Sequence, residues 1–271
     1  MAIPASDIKF SGSIPALYDE HLVPLIFEAY AAETAPRVAA LAPLRVLETA
    51  AGTGVVTRAM ARTLPPGVEL IATDLNQPML DRAAATGTQR PVQWQQADAM
   101  QLPFEDASFD AVVCQFGAMF FPDRSAAYAE TRRVLRPGGA FVFAVWDRIE
   151  DNEFADVATQ ALAQLFPTDP PRFMERVPHG YHDRHVIERD LASAGFAASP
   201  GFETVAARSR AASPQAAAFA YCQGTPLRNE IEGRSGSLTE ATAICERALA
   251  RRFGTGPIDG KIQAHIITAR R

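Results

Sequence analysis

The sequence predicts a doubly wound α/β fold, in which a mostly parallel sheet is flanked by helices. The first observation is that short apolar runs alternate with helical stretches across residues 44–146. The second is that Gly- and Pro-bearing turns separate these runs, as they do in consecutive β-α units. Because parallel crossovers are right-handed and short, such units give a sheet whose strand order reverses beside the first strand. Ligands bind at that reversal.

Each β-α unit can be assigned from its own residues. Asn76 can cap the second helix, with Pro78 in its first turn, and Asp123 or Ser125 can open the helix before the fifth strand. That helix is predicted to end at the Pro-Gly-Gly turn of residues 137–139. The predicted strands cover residues 44–48, 68–74, 92–97, 109–114, 140–146, 202–206 and 262–268.

Length and composition suit a chain with a substantial core. With 271 residues, 48% hydrophobic and 21% charged, one elaborated domain and two domains both remain open, and we adopt a single domain over residues 1–271. An N-terminal helix at residues 14–41, broken near Pro24 and Pro36, belongs to its cap. The expected parts are a helical cap (1–43), a ligand-binding core (44–146), lid insertions (147–184 and 210–258) and a final strand (259–271).

Composition and charge also limit the kinds of binding partner that we expect for this chain. The net charge of −5 and the lack of a Lys/Arg cluster argue against a nucleic-acid partner, and Arg132, Arg133 and Arg136 fit a solvated helix face. No apolar run is long enough for a signal peptide or a membrane span, so we expect a cytoplasmic protein. Three scattered cysteines predict reduced, packed thiols. The sequence allows a homodimer without deciding the oligomeric state.

The turn after the first strand reads Glu-Thr-Ala-Ala-Gly-Thr-Gly, at residues 48–54. Small residues let the backbone approach a ligand, and the helix that follows presents free N–H groups. The dinucleotide fingerprint G-x-G-x-x-G would place its glycines at Ala50, Gly52 and Val55. A β-branched residue at the third position disfavours NAD or FAD, so a nicotinamide-dependent reductase is kept only as an alternative.

The chain resembles the class I S-adenosylmethionine-dependent methyltransferases, especially the ubiquinone- and menaquinone-biosynthesis type (methyltransferase domain 11). Residues 46–54 are similar to the family's first motif, with Ala50 in place of its first glycine. Asp74 matches the acidic residue that accepts hydrogen bonds from both ribose hydroxyls. Residues 98–104 resemble the segment that meets adenine, and residues 133–139 match the turn before the fifth strand.

The resemblance implies a Rossmann-like, seven-stranded sheet of order 3-2-1-4-5-7-6, mostly parallel, with an antiparallel last strand. It also implies that residues 44–146 bind S-adenosyl-L-methionine. Alanine adopts positive φ only at a cost, so Ala50 is a notable departure. The cofactor-binding residues implied are Glu48, Ala50, Gly52, Thr53, Gly54, Asp74, Leu75, Met79, Asp98, Ala99, Met100, Gln115 and Phe116.

The run Cys-Gln-Phe after the fourth strand, at residues 114–116, bears on the acceptor. It lacks the motifs that methyltransferases of DNA, protein glutamine and RNA cytosine carry there, and it lacks the acidic residue of polyamine synthases. We therefore expect methyl transfer to a small molecule by in-line displacement, in which the protein mainly aligns the reactants and excludes water. The alternative is a catalytically silent, cofactor-binding regulator.

Catalytic and substrate residues are the least determined. His179 is a candidate general base, since histidine titrates near neutral pH, although it and His182 also fit ordinary lid histidines. Tyr18 matches an N-terminal tyrosine that related enzymes place over the cofactor. No HExxH motif or carboxylate cluster occurs, so no metal is predicted. Residues 221–228 are a further candidate segment, and the expected acceptor contacts are Trp146, Tyr181 and Tyr221.

Overall fold

The structure is a computed structural model that describes residues 4, 7, 10, 12–197 and 199–271. The predicted cap of residues 1–43 therefore lies partly outside the described residues. No helix within these ranges is long and apolar enough to cross a membrane.

Seven strands form one mixed sheet in the order β3-β2-β1-β4-β5-β7-β6. The strands are β1 Arg45–Glu48, β2 Glu69–Asp74, β3 Gln93–Gln96, β4 Phe109–Gln115, β5 Leu135–Trp146, β6 Gly201–Ala211 and β7 Ile258–Arg270. The first five strands pair in parallel, whereas β7 is antiparallel to both β5 and β6. The predicted fold class, strand order and antiparallel last strand are confirmed. The order reverses between β1 and β4, where a ligand is expected.

Helices follow β1, β2 and β4, no α-helix of the described chain separates β3 from β4, and the remaining helices lie before β1 or after β5. The α-helices are α1 Ile14–Leu17, α2 Glu28–Ala39, α3 Val55–Thr63, α4 Gln77–Thr86, α5 Arg124–Val134, α6 Glu153–Leu165, α7 Phe173–Arg176, α8 Arg184–Ser193, α9 Pro214–Gln223, α10 Leu227–Gly233 and α11 Leu238–Phe253. Side-chain caps start several of them: Asp123 accepts from the amide of Ala126, and Ser213 accepts from that of Ala216. Asn76 stands at the N-cap of α4, but its side chain makes no cap bond and instead accepts from the amide of Phe10.

The N-terminal helix differs from its prediction because neither proline breaks it. A π-helical segment, Tyr18–Phe27, joins α1 to α2 and contains Pro24. Proline has no N–H to donate, and a wider turn with i→i+5 bonds, such as that from the Glu28 amide to the Val23 carbonyl, accommodates it. Pro36 lies near the end of α2 without interrupting it.

Strands β6 and β7 are both longer than the sequence indicates. They pair over eleven residues, from Gly201 opposite Thr268 to Ala211 opposite Ile258. The parts of the two strands that were not predicted carry charged residues, so they lack the alternation of apolar and polar residues that indicates a strand. Asp259 pairs there with Arg208 and Arg210 across the ladder. The fifth strand likewise begins at Leu135, before the Pro-Gly-Gly turn that was expected to precede it.

Candidate active site

The loop between β1 and α3 lies at the switch point of the sheet. Ala50, Gly52 and Gly54 all have positive φ, at 52°, 57° and 82°. Gly54 also needs to be glycine on steric grounds, because a Cβ there would lie 2.9 Å from the ring of Trp94. Ala50 thus carries a backbone strain on the order of 1–2 kcal/mol, which the surrounding structure supports.

Asp74, the last residue of β2, holds this loop from the neighbouring strand. One carboxylate oxygen accepts from the amide of Gly52 at 2.9 Å, and the other accepts from the amide of Asn76 at 2.8 Å. Burial raises the pKa of Asp74, while these amide bonds oppose that rise. The carboxylate therefore faces the ligand space with both oxygens already oriented.

Glu48 ends β1 and is buried at the floor of the same space. Its carboxylate accepts from the hydroxyl of Thr57 at 2.5 Å, and its carbonyl accepts from the hydroxyl of Thr73 at 3.0 Å. Burial raises the pKa of Glu48 to about 8, although the bond from Thr57 and the charge of Arg58 lower it. A cation beside this carboxyl would favour its ionised form.

A cavity extends from this loop across the carboxyl ends of β4 and β5, with about 1460 Å³ of empty space including the part open to solvent. Every predicted cofactor-binding residue except Gly54 lines this cavity. Gly54 lies against the ring of Trp94 instead. Tyr18, Trp146 and Tyr221 also line the cavity. The cofactor-binding residues that line it are Glu48, Ala50, Gly52, Thr53, Asp74, Leu75, Met79, Asp98, Ala99, Met100, Gln115 and Phe116.

The cavity has one acidic end and one aromatic end. Glu48, Asp74 and Asp98 line the acidic end, and the described residues around the cavity include no Lys, Arg or His. At the other end, the rings of Phe116 and Trp146 stack with centroids 3.9 Å apart and planes at 6°. The acidic end suits a cationic ligand and is unsuited to the pyrophosphate of a dinucleotide.

Much of the aromatic end was not identified from the sequence. These residues come from the N-terminal region, the turn after β4 and the lid insertions, where no motif marks them. Only their apolar character in otherwise polar segments could have indicated them. The additional lining residues include Phe10, Leu22, Ile26, Phe27, Phe120, Phe121, Pro122, Phe173, Met174 and Pro178.

Residues 47–143 match the family model described as a methyltransferase domain. This segment is similar to class I S-adenosylmethionine-dependent methyltransferase domains, and we refer to it as the methyltransferase domain. The similarity implies S-adenosylmethionine as the cofactor. Among solved structures, YcgJ of Bacillus subtilis shares the fold, with a TM-score of 0.56 over 90% of this chain and 98% of that one, at 19% identity.

Sequence relatives of the methyltransferase domain match mainly over the same core. An uncharacterized protein of Mycobacterium tuberculosis, Rv1405c, is 42% identical over 105 residues, or 38% of this chain and 37% of that protein. The demethylmenaquinone methyltransferase of Deinococcus radiodurans is 42% identical over 102 residues, which span 37% and 42% of the two chains. The ubiquinone/menaquinone biosynthesis C-methyltransferase UbiE of Saccharophagus degradans is 29% identical over 167 residues, 56% and 67% of the two chains. This chain thus spans less than half the length of the first two relatives.

The acidic end of the methyltransferase domain fits this donor. S-adenosylmethionine carries a sulfonium and an ammonium, and the buried carboxyl of Glu48 complements positive charge in a site of low dielectric. Asp74 presents a carboxylate that can accept from paired hydroxyls. The hydroxyl of Thr53, which lines the site, is buried without a partner among the described residues. Together with the unfavourable setting for a pyrophosphate, these features favour S-adenosylmethionine over a nicotinamide cofactor.

Gln115 connects the methyltransferase domain to its N-terminal cap. Its amide nitrogen donates to the carbonyl of Phe27 at 3.3 Å, and its amide oxygen accepts from the hydroxyl of Thr34 at 3.1 Å. Both polar ends of this buried side chain are therefore used by the π-helical segment and α2. Gln115 lines the cavity, but its role here is to fix the cap over the site.

Besides Gly54, one predicted catalytic residue and one predicted acceptor contact lie outside the cavity. His179 is buried, its Nδ1–H donates to the carbonyl of Asp147 at 2.8 Å, and burial lowers its pKa to about 4. The hydroxyl of Tyr181 lies 3.3 Å from that of Tyr128 and donates to Asp190 at 3.0 Å. Neither is among the residues that line the site. This placement does not support His179 as a general base or Tyr181 as an acceptor contact, because neither lines the cavity and because Nδ1 of His179 and the hydroxyl of Tyr181 bond within the protein.

An ion cluster ties the N-terminal region to both lid insertions. Arg176 of α7 pairs with Asp7, which is 1% exposed, and with Glu230 of α10 at 2.6 Å. The amide of Phe10 donates to Asn76 at the cofactor end. The roof over the cavity is thereby built from three segments that are distant in sequence.

Proposed function

We propose that the chain catalyses methyl transfer from S-adenosylmethionine to a small, largely apolar acceptor bound beside Phe116 and Trp146. The observation that supports this most strongly is that one cavity joins an acidic end to an aromatic end. A cationic donor suits the first end, and a neutral, planar acceptor suits the second. The two ligands would then meet without intervening protein.

The bound donor supplies an electrophilic methyl group, so the chain's own residues need to bind, orient and exclude water. Asp74 and Glu48 hold the donor. Phe116 and Trp146 form a flat apolar wall for the acceptor. The roof segments cover the site and lower the local dielectric, which strengthens the interactions inside it. No described His, Lys or Arg lines the cavity, which favours acceptors that react without a strong protein base.

The relatives suggest which acceptors should be tried first. The names of two of them refer to demethylmenaquinone and to ubiquinone or menaquinone biosynthesis, and quinols are neutral, planar and electron-rich. An electron-rich ring can accept a methyl group at carbon. We therefore propose a quinol or a related phenol as the acceptor class, with carbon as the receiving atom.

The test is methyl transfer from radiolabelled S-adenosylmethionine to a panel of naphthoquinols, benzoquinols, phenols and amines. We expect label in quinols or phenols and none in the amines. Trp146→Ala should reduce transfer at least tenfold while S-adenosylhomocysteine affinity stays within about twofold, because only the acceptor wall is lost. Tight S-adenosylhomocysteine binding without transfer to any acceptor would instead favour the cofactor-binding regulator.

A further inference from the structure

Tyr221 lies near the end of α9 and projects into the roof of the cavity. The residue is 2% exposed, and its neighbours hold it firmly. Cys222 packs against Cys245 of α11 with the two sulfur atoms 3.7 Å apart. The carbonyl of Tyr221 accepts from the hydroxyl of Thr225 at 2.8 Å. The ring is therefore presented by a rigid helix end.

The hydroxyl of Tyr221 makes no hydrogen bond to a described residue. Burial is the single cause of its raised pKa, with no contribution from a bonded or charged neighbour. Protein atoms of the described residues do not fully enclose this hydroxyl. An unpaired hydroxyl that is not sealed by protein, on a residue that lines the cavity, faces the open space of that cavity. A buried polar group without a partner is costly, and a ligand can supply the partner.

Gln115 and Thr225, two other polar side chains near the aromatic end, already have partners. Gln115 uses its amide on Phe27 and Thr34, as described above. The hydroxyl of Thr225 donates to the carbonyl of Tyr221 and accepts from the amide of Leu227. The hydroxyl of Tyr18 has no partner among the described residues either, but its ring stacks on Phe27 with centroids 5.1 Å apart, and burial and the charge of Asp74 both raise its pKa, so it also faces that cofactor-binding carboxylate.

We infer that Tyr221 is the residue that recognises the acceptor's ring oxygen, and that it selects neutral, hydroxylated aromatic rings over unsubstituted ones. This inference rests on the proposed function, since it assigns the recognition step of the same site. A tyrosine hydroxyl can donate to or accept from a phenolic oxygen without introducing charge. A charged acceptor would leave its charge against the apolar wall of Phe116 and Trp146, and that desolvation is unfavourable.

The test measures acceptor binding directly, so it does not need turnover. 1-Naphthol and naphthalene are titrated by calorimetry into the full chain saturated with S-adenosylhomocysteine. The wild type should bind 1-naphthol more tightly. Tyr221→Phe removes only the hydroxyl and should weaken 1-naphthol about tenfold, the value of one neutral hydrogen bond, while leaving naphthalene unchanged. S-adenosylhomocysteine affinity should stay within about twofold.

Tyr181→Phe is the matched control, since that hydroxyl bonds to Asp190 away from the cavity and should leave 1-naphthol affinity unchanged. Because the Tyr221 hydroxyl has no partner, Tyr221→Phe should retain the thermal stability of the wild type. Equal affinity of the wild type and Tyr221→Phe for 1-naphthol would overturn the inference, as would failure of 1-naphthol to bind at millimolar concentration. Absence of methyl transfer with binding intact would instead overturn only the proposed function.

Discussion

Glu48 and Asp74 are both buried carboxylates in one site, but they accept hydrogen bonds from different donors. Asp74 receives two backbone amides, which favour its charged form against the cost of burial. Glu48 receives one hydroxyl, and burial dominates its pKa. Asp74 is thus prepared for ligand hydroxyls before any ligand binds, whereas Glu48 ionises fully only when positive charge arrives.

Replacing Asp74 should weaken cofactor binding. Asp74→Ala removes charged hydrogen bonds to the ligand and the anchor of the Gly52 amide, so we expect a loss of about 1.5–3 kcal/mol in binding free energy. Calorimetric titration of S-adenosylhomocysteine measures this. Asp81→Ala, on the exposed side of α4, is the control and should have no effect. Unchanged affinity of Asp74→Ala would remove Asp74 from the site.

Glu48 should make the stability of the ligand-free protein fall with rising pH. Its folded pKa of about 8 lies above its ordinary value of 4.5, so the folded state binds the proton more tightly. The resulting stability is complete below pH 4.5 and is lost as the pH rises through 8. Glu48→Gln cannot ionise. Its unfolding free energy should therefore rise by roughly 2–4 kcal/mol relative to that of the wild type as the pH increases from 5 to 8.

Urea unfolding at the two pH values checks this prediction. Glu28→Gln, at an exposed position of α2, should follow the wild type at both pH values. If Glu48→Gln and the wild type keep the same difference in stability across this range, the carboxyl is already charged in the folded protein.

At the scale of elements, Arg176 joins two other segments of the roof by ion pairs. Arg176 neutralises Asp7, which is almost fully buried, and joins it to Glu230. Breaking such a pair leaves an uncompensated buried charge. The cap and the two lid insertions should therefore loosen together.

Arg176→Met should lower the free energy of unfolding by about 1–3 kcal/mol, less than for a fully buried pair because Arg176 is 32% exposed. Chemical denaturation measures the change. Arg172→Met, one turn away, removes only an exposed pair with Glu175 and should cost less than about 0.5 kcal/mol. Equal effects of the two substitutions would show that Asp7 does not depend on Arg176.

The sequence predicted the elements whose signals are local. The turn at residues 48–54 was identified from its small residues between a strand and a helix, and Asp74 was identified through the family resemblance. The π-helical passage through Pro24 was not, because proline normally ends a helix and only the packed surroundings support the wider turn. His179 was chosen for its chemistry, but burial and its bond to Asp147 are set by distant parts of the chain. The aromatic wall formed by Phe116 and Trp146 likewise appears only after folding.

At the scale of the whole molecule, buried histidine should set the acid limit of stability. The folded pKa of His179 is about 4, below the ordinary 6.5, so the unfolded state binds the proton more tightly. The stability from neutral His179 is therefore present above pH 6.5 and is lost as the pH falls toward 4. Between pH 7.5 and pH 5 the wild type should lose about 2 kcal/mol from this group.

His179→Gln keeps a donor for the carbonyl of Asp147 and cannot take up the proton. Relative to the wild type, its unfolding free energy should rise by about 2 kcal/mol as the pH falls from 7.5 to 5, which denaturant titrations at the two pH values can measure. His185→Gln, at a 92% exposed side chain, serves as the control. Equal slopes for His179→Gln and the wild type would show that His179 is protonated without cost.

The roof of the cavity lies outside the segment that matches the family. Residues 47–143 provide the carboxylates for the donor, whereas Phe10, Met174 and Tyr221 belong to stretches before and after that segment. The roof residues that we propose to contact the acceptor thus lie outside the segment that carries the proposed donor carboxylates, whereas Phe116 of the acceptor wall lies within it. Grafting a different roof onto this core would redirect the methyl group while the donor site stays intact. A match over residues 47–143 alone therefore does not identify the molecule that receives the methyl group.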